Sequence, residues 1–363
     1  MQSSRLLRKK ATSIKDKYDI IVVGAGPAGS CAAVEAGKRG AKVLLLERKK
    51  TPGLPVQCAE YVPQQIKHYV NIYPEMIVQR TGRMHTYIND ELCSDLAAPG
   101  YMLDRQVFDR KLSEEAVNYG VELWTETRAI ECLQESVRVL VKGEIKEIEC
   151  RCIIGADGPR STVGAWMNSE NDYFMPAVQW TLPLKETRNN TEMYFSPEYI
   201  GGYAWMFPKG KYANVGVGVS MDSGERLTEL HRCFVSKMIA AGVVENTEPI
   251  YKTGGIAPVG GPLPRLVHEN MLLVGDAAGQ THPVSAGGIM NAVVCGCLAG
   301  QIAAKALNKN DISLLSGYET AWRKVLGRHL DHATAQRRRM DEEWTMEPQA
   351  FVDLIRETWL SFA

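Results

Sequence analysis

The sequence predicts a mixed fold: an α/β domain, an antiparallel β sheet inserted into it, and a helical C-terminal region. Three observations carry this expectation. Residues Asp19 to Glu47 read as strand, glycine-rich turn, helix, strand and terminal acid. From about Asp172 to Lys252 the texture changes to prolines, aromatics and short alternating strands. The run Met271-Leu272-Leu273-Val274 is then apolar without interruption, as suits a parallel strand buried on both faces.

The opening unit is the most specific. Its turn carries Gly24, Gly26 and Gly29 at Gly-x-Gly-x-x-Gly spacing. Gly24 permits the tight turn, Gly26 lets backbone approach a pyrophosphate, and Gly29 lets helix and sheet pack closely. Pro27 and Ala28 complete the turn, and the helix behind them offers free N–H groups and the positive end of its dipole. Glu47 ends the second strand, placed to accept from both ribose hydroxyls of an adenosine, and argues against a 2′-phosphate there. Arg48 follows as a further contact candidate. A lone glycine triplet is weak, but the whole context reads as a Rossmann-type dinucleotide-binding unit.

The remaining elements follow in order. Thr51 to Val56 is a loop with two prolines, and Thr86 to Leu96 alternates around Asn89-Asp90 as a hairpin outside the nucleotide domain. Tyr101 to Tyr119 reads as a helix, with Val107, Phe108, Leu112 and Ala116 as its apolar face and Gly120 as its stop. Two or three strands lead to Cys152-Ile153-Ile154 and the turn Gly155-Ala156-Asp157-Gly158. The inserted sheet carries one helix near Glu225 to Ala241. Ala286 to Leu307 is apolar enough to span a membrane, but Asn291, Gln301, Lys305 and several glycines favour a buried helix. Residues 311–363 are helical and amphipathic, with a basic run at Arg337-Arg338-Arg339. The nucleotide domain thus takes 18–75, 100–170 and 255–310, and the second domain 76–99 and 171–254. A flexible tail covers 1–17.

Composition narrows the function classes. In 363 residues, Lys plus Arg and Asp plus Glu both total 42, so no basic surplus supports nucleic-acid binding. The first seventeen residues are polar and basic without an apolar core, unlike a signal peptide, and support at most a peripheral contact with anionic lipid. Nine scattered cysteines read as reduced thiols in the cytoplasm. The pairs Cys150/Cys152 and Cys295/Cys297 are spaced too tightly for a zinc knuckle, so packing explains them and no metal site is expected.

Two further segments turn a dinucleotide into a flavin. They are Gly155-Ala156-Asp157-Gly158-Pro159-Arg160-Ser161, and Val274-Gly275-Asp276-Ala277-Ala278 with Pro283 and Gly287-Gly288 beyond it. With the opening fingerprint they resemble the three signature segments of the FAD-binding flavoproteins that include para-hydroxybenzoate hydroxylase and the geranylgeranyl reductases. The resemblance assigns Asp276 to the ribityl hydroxyls and Arg105 to the pyrophosphate side. It makes Asp157 the acid supporting the fold around the pyrophosphate; a plain Asp-Gly turn reads equally well. Gly287-Gly288 opens a helix whose N–H groups would face the anionic edge of a reduced flavin.

Two features resemble the geranylgeranyl reductase branch. Tyr203-Ala204-Trp205-Met206-Phe207-Pro208, continuing to Gly216 and Gly218, is similar to its Tyr-x-Trp-x-Phe-Pro signature. Tyr203, Trp205 and Phe207 alternate and share one strand face, and the glycines opposite would open an apolar groove for substrate; sheet-core packing is the competing explanation. Cys58-Ala59-Glu60 resembles the loop that places a cysteine near the flavin ring, so Cys58 is a candidate for cofactor contact and catalysis, against a fate as a small buried hydrophobe. No basic neighbour in sequence would lower its pKa. His282 is a second acid–base candidate, with a satisfied loop histidine the simpler reading.

The expected activity is FAD-dependent reduction of C=C bonds in an isoprenoid or other apolar substrate. The donor would be external, either NAD(P)H or a reduced redox protein, since no second Gly-x-Gly-x-x-Gly segment exists. The same three segments would serve a flavin monooxygenase hydroxylating an aromatic small molecule or a partner protein's side chain. A flavin-binding sensor without turnover ranks last. Two departures weaken the lipid chain as substrate more than the flavin: a short region after 310, and Thr281-His282-Pro283-Val284-Ser285-Ala286 in the flavin loop.

Overall fold

The computed structural model describes residues 17–362; most of the tail expected over 1–17 lies outside them. The chain begins β1 (Lys17–Val23), α1 (Pro27–Gly37), β2 (Val43–Leu46) and β3 (Tyr61–Pro63). It continues through β4 (Ile77–Ile88), β5 (Glu91–Leu103), α2 (Arg105–Asn118), β6 (Glu122–Trp124), β7 (Thr127–Cys132), β8 (Ser136–Val141), β9 (Glu144–Gly155) and α3 (Thr162–Trp166). The next stretch holds β10 (Phe174–Pro183), β11 (Asn190–Phe195), β12 (Tyr203–Lys209), β13 (Tyr212–Gly218), α4 (Leu227–Ala240) and β14 (Tyr251–Pro258). Last come β15 (Val267–His268), β16 (Met271–Leu273), α5 (Ile289–Asn308), α6 (Gly317–Trp322), α7 (Arg328–Glu343) and α8 (Pro348–Thr358).

These strands form two sheets. In the first, β16, β9, β1, β2 and β6 run parallel in that order, with β15 antiparallel at the edge. β16 is buried throughout and pairs with β9, as its unbroken apolar run requires. The β7–β8 hairpin joins through the first half of β9, so four strands rather than two or three separate α2 from the Gly155 turn. The helix expected from Tyr101 begins only at Arg105: Tyr101 to Leu103 end β5, and Asp104 caps α2 by accepting from Val107 N at 3.1 Å.

The second sheet runs β14-β10-β13-β12-β11-β4-β5-β3. It is antiparallel except at β11, which pairs in parallel with β4. The predicted hairpin turn holds, with Asn89 and Asp90 both at positive φ, and its strands extend further than the alternation suggested. Alternation along β12 splits the sheet's faces. Ala204 and Met206 pack with Phe234 and Met238 of α4, while Tyr203, Trp205 and Phe207 face Phe351, Ile355 and Trp359 on and beside α8.

α1 and α5 lie in unusually close contact. A Cβ at Gly296 would stand 2.2 Å from Ala28 O, and one at Gly300 2.1 Å from Ala32 O. Equal spacing of four residues on both helices makes this a parallel seam of small residues. Among the described residues α5 is the one helix long and apolar enough to cross a membrane, yet 61% of its apolar window is buried inside the protein. The basic run on α7 is not a uniform surface patch: Arg337 is buried, donates to Gly201 O at 2.6 Å, pairs with Asp341 and faces the Tyr173 ring.

Candidate active site

The dinucleotide end follows from backbone geometry. Gly24 sits at φ +102°, and a Cβ there would strike Ala156 O at 2.3 Å. A Cβ at Gly29 would fall 1.8 Å from Gly24 O. Gly26, by contrast, has nothing within 4 Å of its Cβ position, so its backbone faces open space. Glu47 is buried; its Oε2 accepts from Ala25 N at 3.0 Å and its Oε1 from Lys49 N at 2.9 Å, which fixes the acid beside the turn. Arg48 is exposed, at the mouth of a cleft it shares with Lys49, Arg128 and Lys142.

Two helices leave their N-termini without a side-chain cap or a first-turn acid: α1, preceded by Gly26 with Pro27 in its first turn, and α5, preceded by Gly288. Asp104, Ser161 and Glu347 cap α2, α3 and α8 instead. Free N–H groups at these two ends fit a ligand with negative charge near both, as FAD has at its pyrophosphate and at its reduced ring. Asp276 lies beside the second end, since a Cβ at Gly288 would stand 3.1 Å from its Oδ1. Burial pushes the Asp276 carboxyl up from its ordinary value, while the Thr281 hydroxyl, donating at 2.7 Å, and the Arg105 charge pull it back.

Asp157 is used locally. Its Oδ2 accepts from Thr162 N at 2.6 Å and Val163 N at 3.2 Å, and its Oδ1 takes the Ser161 hydroxyl at 2.5 Å. It therefore supports the start of α3 while its own backbone abuts Gly24.

Arg105 grips Asp109 with two parallel hydrogen bonds of 2.9 Å, and this pairing outweighs burial to raise its pKa further. The same guanidinium stands beside the Cys58 thiol and favours its thiolate. Cys58 has no basic neighbour in sequence; its basic neighbour in the fold lies 47 positions on. Burial still dominates and pushes the Cys58 thiol up, with Arg105 opposing, so it is protonated near neutrality.

His282 is buried in the flavin loop. Its Nδ1 accepts from Ser285 N at 3.2 Å, and its ring centroid lies 4.9 Å from that of His329 on α7. Burial lowers its pKa to about 4, assisted by His329 and His332. The ring is therefore a neutral acceptor tied to its own loop.

The aromatic strand connects the sheets. Tyr203 OH donates to Ser285 O at 2.6 Å in the flavin loop. Trp205 Nε1 donates to Gln179 Oε1 at 2.9 Å, and Gln179 Nε2 to Cys58 O at 3.1 Å. Tyr203, Trp205 and Phe207 are each only 7–8% exposed. The open groove expected over the glycines is corrected: the Trp205 indole fills the space at Gly216, coming 2.2 Å from its Cβ position, and Met175 covers Gly218 at 3.0 Å.

Three supports escaped sequence reasoning. Glu60, 3% exposed, accepts from Lys209 Nζ at 2.6 Å, Asn214 Nδ2 at 2.9 Å and Arg105 N at 3.2 Å. Breaking a buried ion pair of this kind by removing one partner costs about 3–5 kcal/mol. Asn171 donates to both Pro159 O and Asp276 O, joining the second and third flavin segments. Gln280 accepts from Gly275 N at 2.9 Å and meets the buried Tyr318 hydroxyl. Only Glu60 stood in a quoted motif; nothing local marked Asn171 or Gln280.

Comparison with known proteins agrees with this geometry. A family model described as FAD dependent oxidoreductase matches residues 19–159, and one described as geranylgeranyl reductase catalytic domain matches 175–256. The chain is 35% identical over 344 residues to digeranylgeranylglycerophospholipid reductase 2 of Methanococcoides burtonii, covering 88% of this chain and 83% of that one. It is 34% identical over 362 residues to the digeranylgeranylglycerophospholipid reductase of Methanocaldococcus jannaschii, covering 91% and 89%. A geranylgeranyl bacteriochlorophyll reductase-like crystal structure from Thermoplasma acidophilum superposes with a TM-score of 0.81 at 25% identity, over 95% of this chain and 97% of that one. A probable FAD-dependent monooxygenase from Pseudomonas aeruginosa, at TM-score 0.72 and 17% identity, shares the fold alone. At this identity and over this much of both chains, the chain belongs to the geranylgeranyl reductase family of FAD-dependent oxidoreductases.

Proposed function

We propose that this enzyme reduces isolated C=C bonds in the geranylgeranyl chains of a glycerophospholipid, the substrate class its relatives' names carry. One observation carries the reading. The region matched by the reductase catalytic model, 175–256, contains the aromatic strand, and that strand is hydrogen-bonded to both the Cys58 loop and the flavin loop. Tyr203, Trp205 and Phe207 thereby form an apolar wall tied to both loops, beside which the substrate chain would run.

In this reading the first sheet holds FAD and the second sheet the substrate. Gly24, Gly26, Gly29 and Glu47 take the adenosine diphosphate half, Arg105 stands toward the pyrophosphate, and Asp276 with the α5 N-terminus takes the ribityl and ring end. Reduced FAD, when bound, supplies the hydride. The protein holds the alkene against the ring, excludes water with its aromatic face and α8, and provides a proton for the second carbon. Cys58 is the proton source: its thiol is protonated near neutrality and stands beside Arg105. His282, whose Nδ1 is engaged by Ser285 N, acts as a neutral orienting group of the flavin loop rather than as the acid. Electrons enter from outside, from a reduced redox protein or NAD(P)H. The setting is the cytoplasmic face of a membrane, with peripheral contact only.

The test is direct. The purified protein is reduced without oxygen, mixed with a geranylgeranyl lipid, and the product weighed; a gain of two hydrogens per double bond is expected. No gain under these conditions, together with uptake of one oxygen atom by an aromatic substrate in air, overturns the reading in favour of a monooxygenase.

A further inference from the structure

The backbone at Glu60 adopts φ +72°, a left-handed conformation that non-glycine residues seldom hold unless their surroundings over-determine it. The determinants are visible. Oε2 of its carboxylate takes Lys209 Nζ from the end of β12 and Asn214 Nδ2 from β13, while Oε1 takes Arg105 N. Asn214 is itself fixed, accepting from the Thr181 hydroxyl at 2.8 Å and donating to Ala59 O at 3.2 Å. Glu60 O accepts from Leu103 N at 2.9 Å, which closes the loop onto β5. With the carboxylate and carbonyl both held, the Glu60 N–H has one direction left, and it donates to Cys58 Sγ at 3.2 Å.

We propose that Glu60 is the positioning residue for the Cys58 thiol: the second sheet grips its carboxylate, and that grip fixes the N–H that anchors the sulfur beside Arg105. The loop bearing the thiol is thus set by Lys209 and Asn214, on the two strands that carry the aromatic face. Rotating residue 60 into the ordinary β or α region would withdraw the N–H from the sulfur and the carboxylate from Lys209 together. The charged or titratable groups facing Cys58 are Arg105, Glu60 and Tyr203. Arg105 and the Glu60 N–H favour the thiolate while the Glu60 charge opposes it, so losing the N–H makes the thiol harder to ionise and losing the charge alone makes it easier. This inference rests on Cys58 being the proton source, and its test separates the two.

Alkylation of Cys58 by iodoacetamide, followed by peptide mass mapping of the FAD-loaded protein from pH 6.5 to 10, reads the thiol directly. In Glu60→Gln the side chain loses its charged hold on Lys209 and the N–H leaves the sulfur, so the midpoint rises by roughly one pH unit and alkylation at pH 7.5 slows about three- to tenfold. Lys209→Met frees the same carboxylate, so the midpoint rises and alkylation slows there too. Glu60→Gly keeps the left-handed backbone and its N–H without strain and removes the charge, so its midpoint falls. Lys209→Arg keeps the parent profile. General loosening of the fold would speed alkylation in every variant, so faster alkylation in Glu60→Gln or Lys209→Met overturns the proposal. So does a midpoint that falls in Glu60→Gln as it does in Glu60→Gly, which the lost charge alone would give. Cys58→Ser is assayed separately for anaerobic lipid reduction. Full turnover there removes Cys58 as proton source, while the hold of Glu60 on the thiol is judged by alkylation alone.

Discussion

At the scale of single residues, His282 makes a prediction whose sign follows from its surroundings. Its folded pKa of about 4 lies below the ordinary 6.5, so between those values the unfolded chain binds the proton and the folded one does not. The stability tied to a neutral His282 is complete above about pH 6.5 and is lost as pH falls toward 4. The full effect is of order 3 kcal/mol. Thermal melts of the parent and of His282→Gln at pH 7 and pH 5 should show the parent losing more stability than the variant over this interval. The difference between the two proteins isolates the histidine, because the raised Asp157 and Asp276 carboxyls titrate alike in both. Residues of this kind separate what sequence reveals from what it hides. Gly24, Gly29 and Glu47 were legible because the motif that joins them, glycine turn to terminal acid, fits within one βαβ unit of the chain. Glu60 was not, since Lys209 and Asn214 are 149 and 154 positions distant. Gly216 misled, because a glycine in a strand looks the same whether a substrate or a neighbouring indole fills the space above it.

At the scale of elements, the α1–α5 seam is the part least able to yield. At Gly296 and Gly300 the opposing atoms are backbone carbonyl oxygens of Ala28 and Ala32, which have no rotamer to change. Gly300→Val should therefore force the helices apart, with overpacking of about 1–3 kcal/mol or more. The expected outcome is a lower melting temperature together with reduced FAD content, read from the ratio of flavin to protein absorbance. An equally bulky change at Gly40, where nothing lies within 4 Å, should leave FAD content unchanged; its positive φ confines the cost to local strain. The predicted elements themselves were largely recovered. Where boundaries moved, a competing bond decided them: Tyr101 to Leu103 have helix-compatible spacing but complete the β4–β5 ladder, and Asp104 then starts α2 as its cap.

Across the whole molecule, the two sheets meet through the Cys58 and Ser285 loops, by Tyr203 to Ser285, Gln179 to Cys58 and Lys209 to Glu60. A cofactor lodged there stabilises the folded state by mass action: free FAD at a hundred times its dissociation constant adds about 2.7 kcal/mol, or roughly 4 °C in melting temperature. Titrating FAD into cofactor-stripped protein while recording melts checks this, and a melting temperature indifferent to FAD would contradict the assignment of both helix ends. This level of organisation was only half legible. The two-sheet plan showed in the change of texture near Asp172, but the cross-ties pair residues with no shared local pattern.

The α1–α5 seam also works as a calliper. With Ala28 and Ala32 locked against Gly296 and Gly300, neither helix can slide, and the gap between their free N-terminal ends is set by the protein rather than by whatever occupies it. The spacing of the two helix ends is thus held by four small residues, Ala28, Ala32, Gly296 and Gly300.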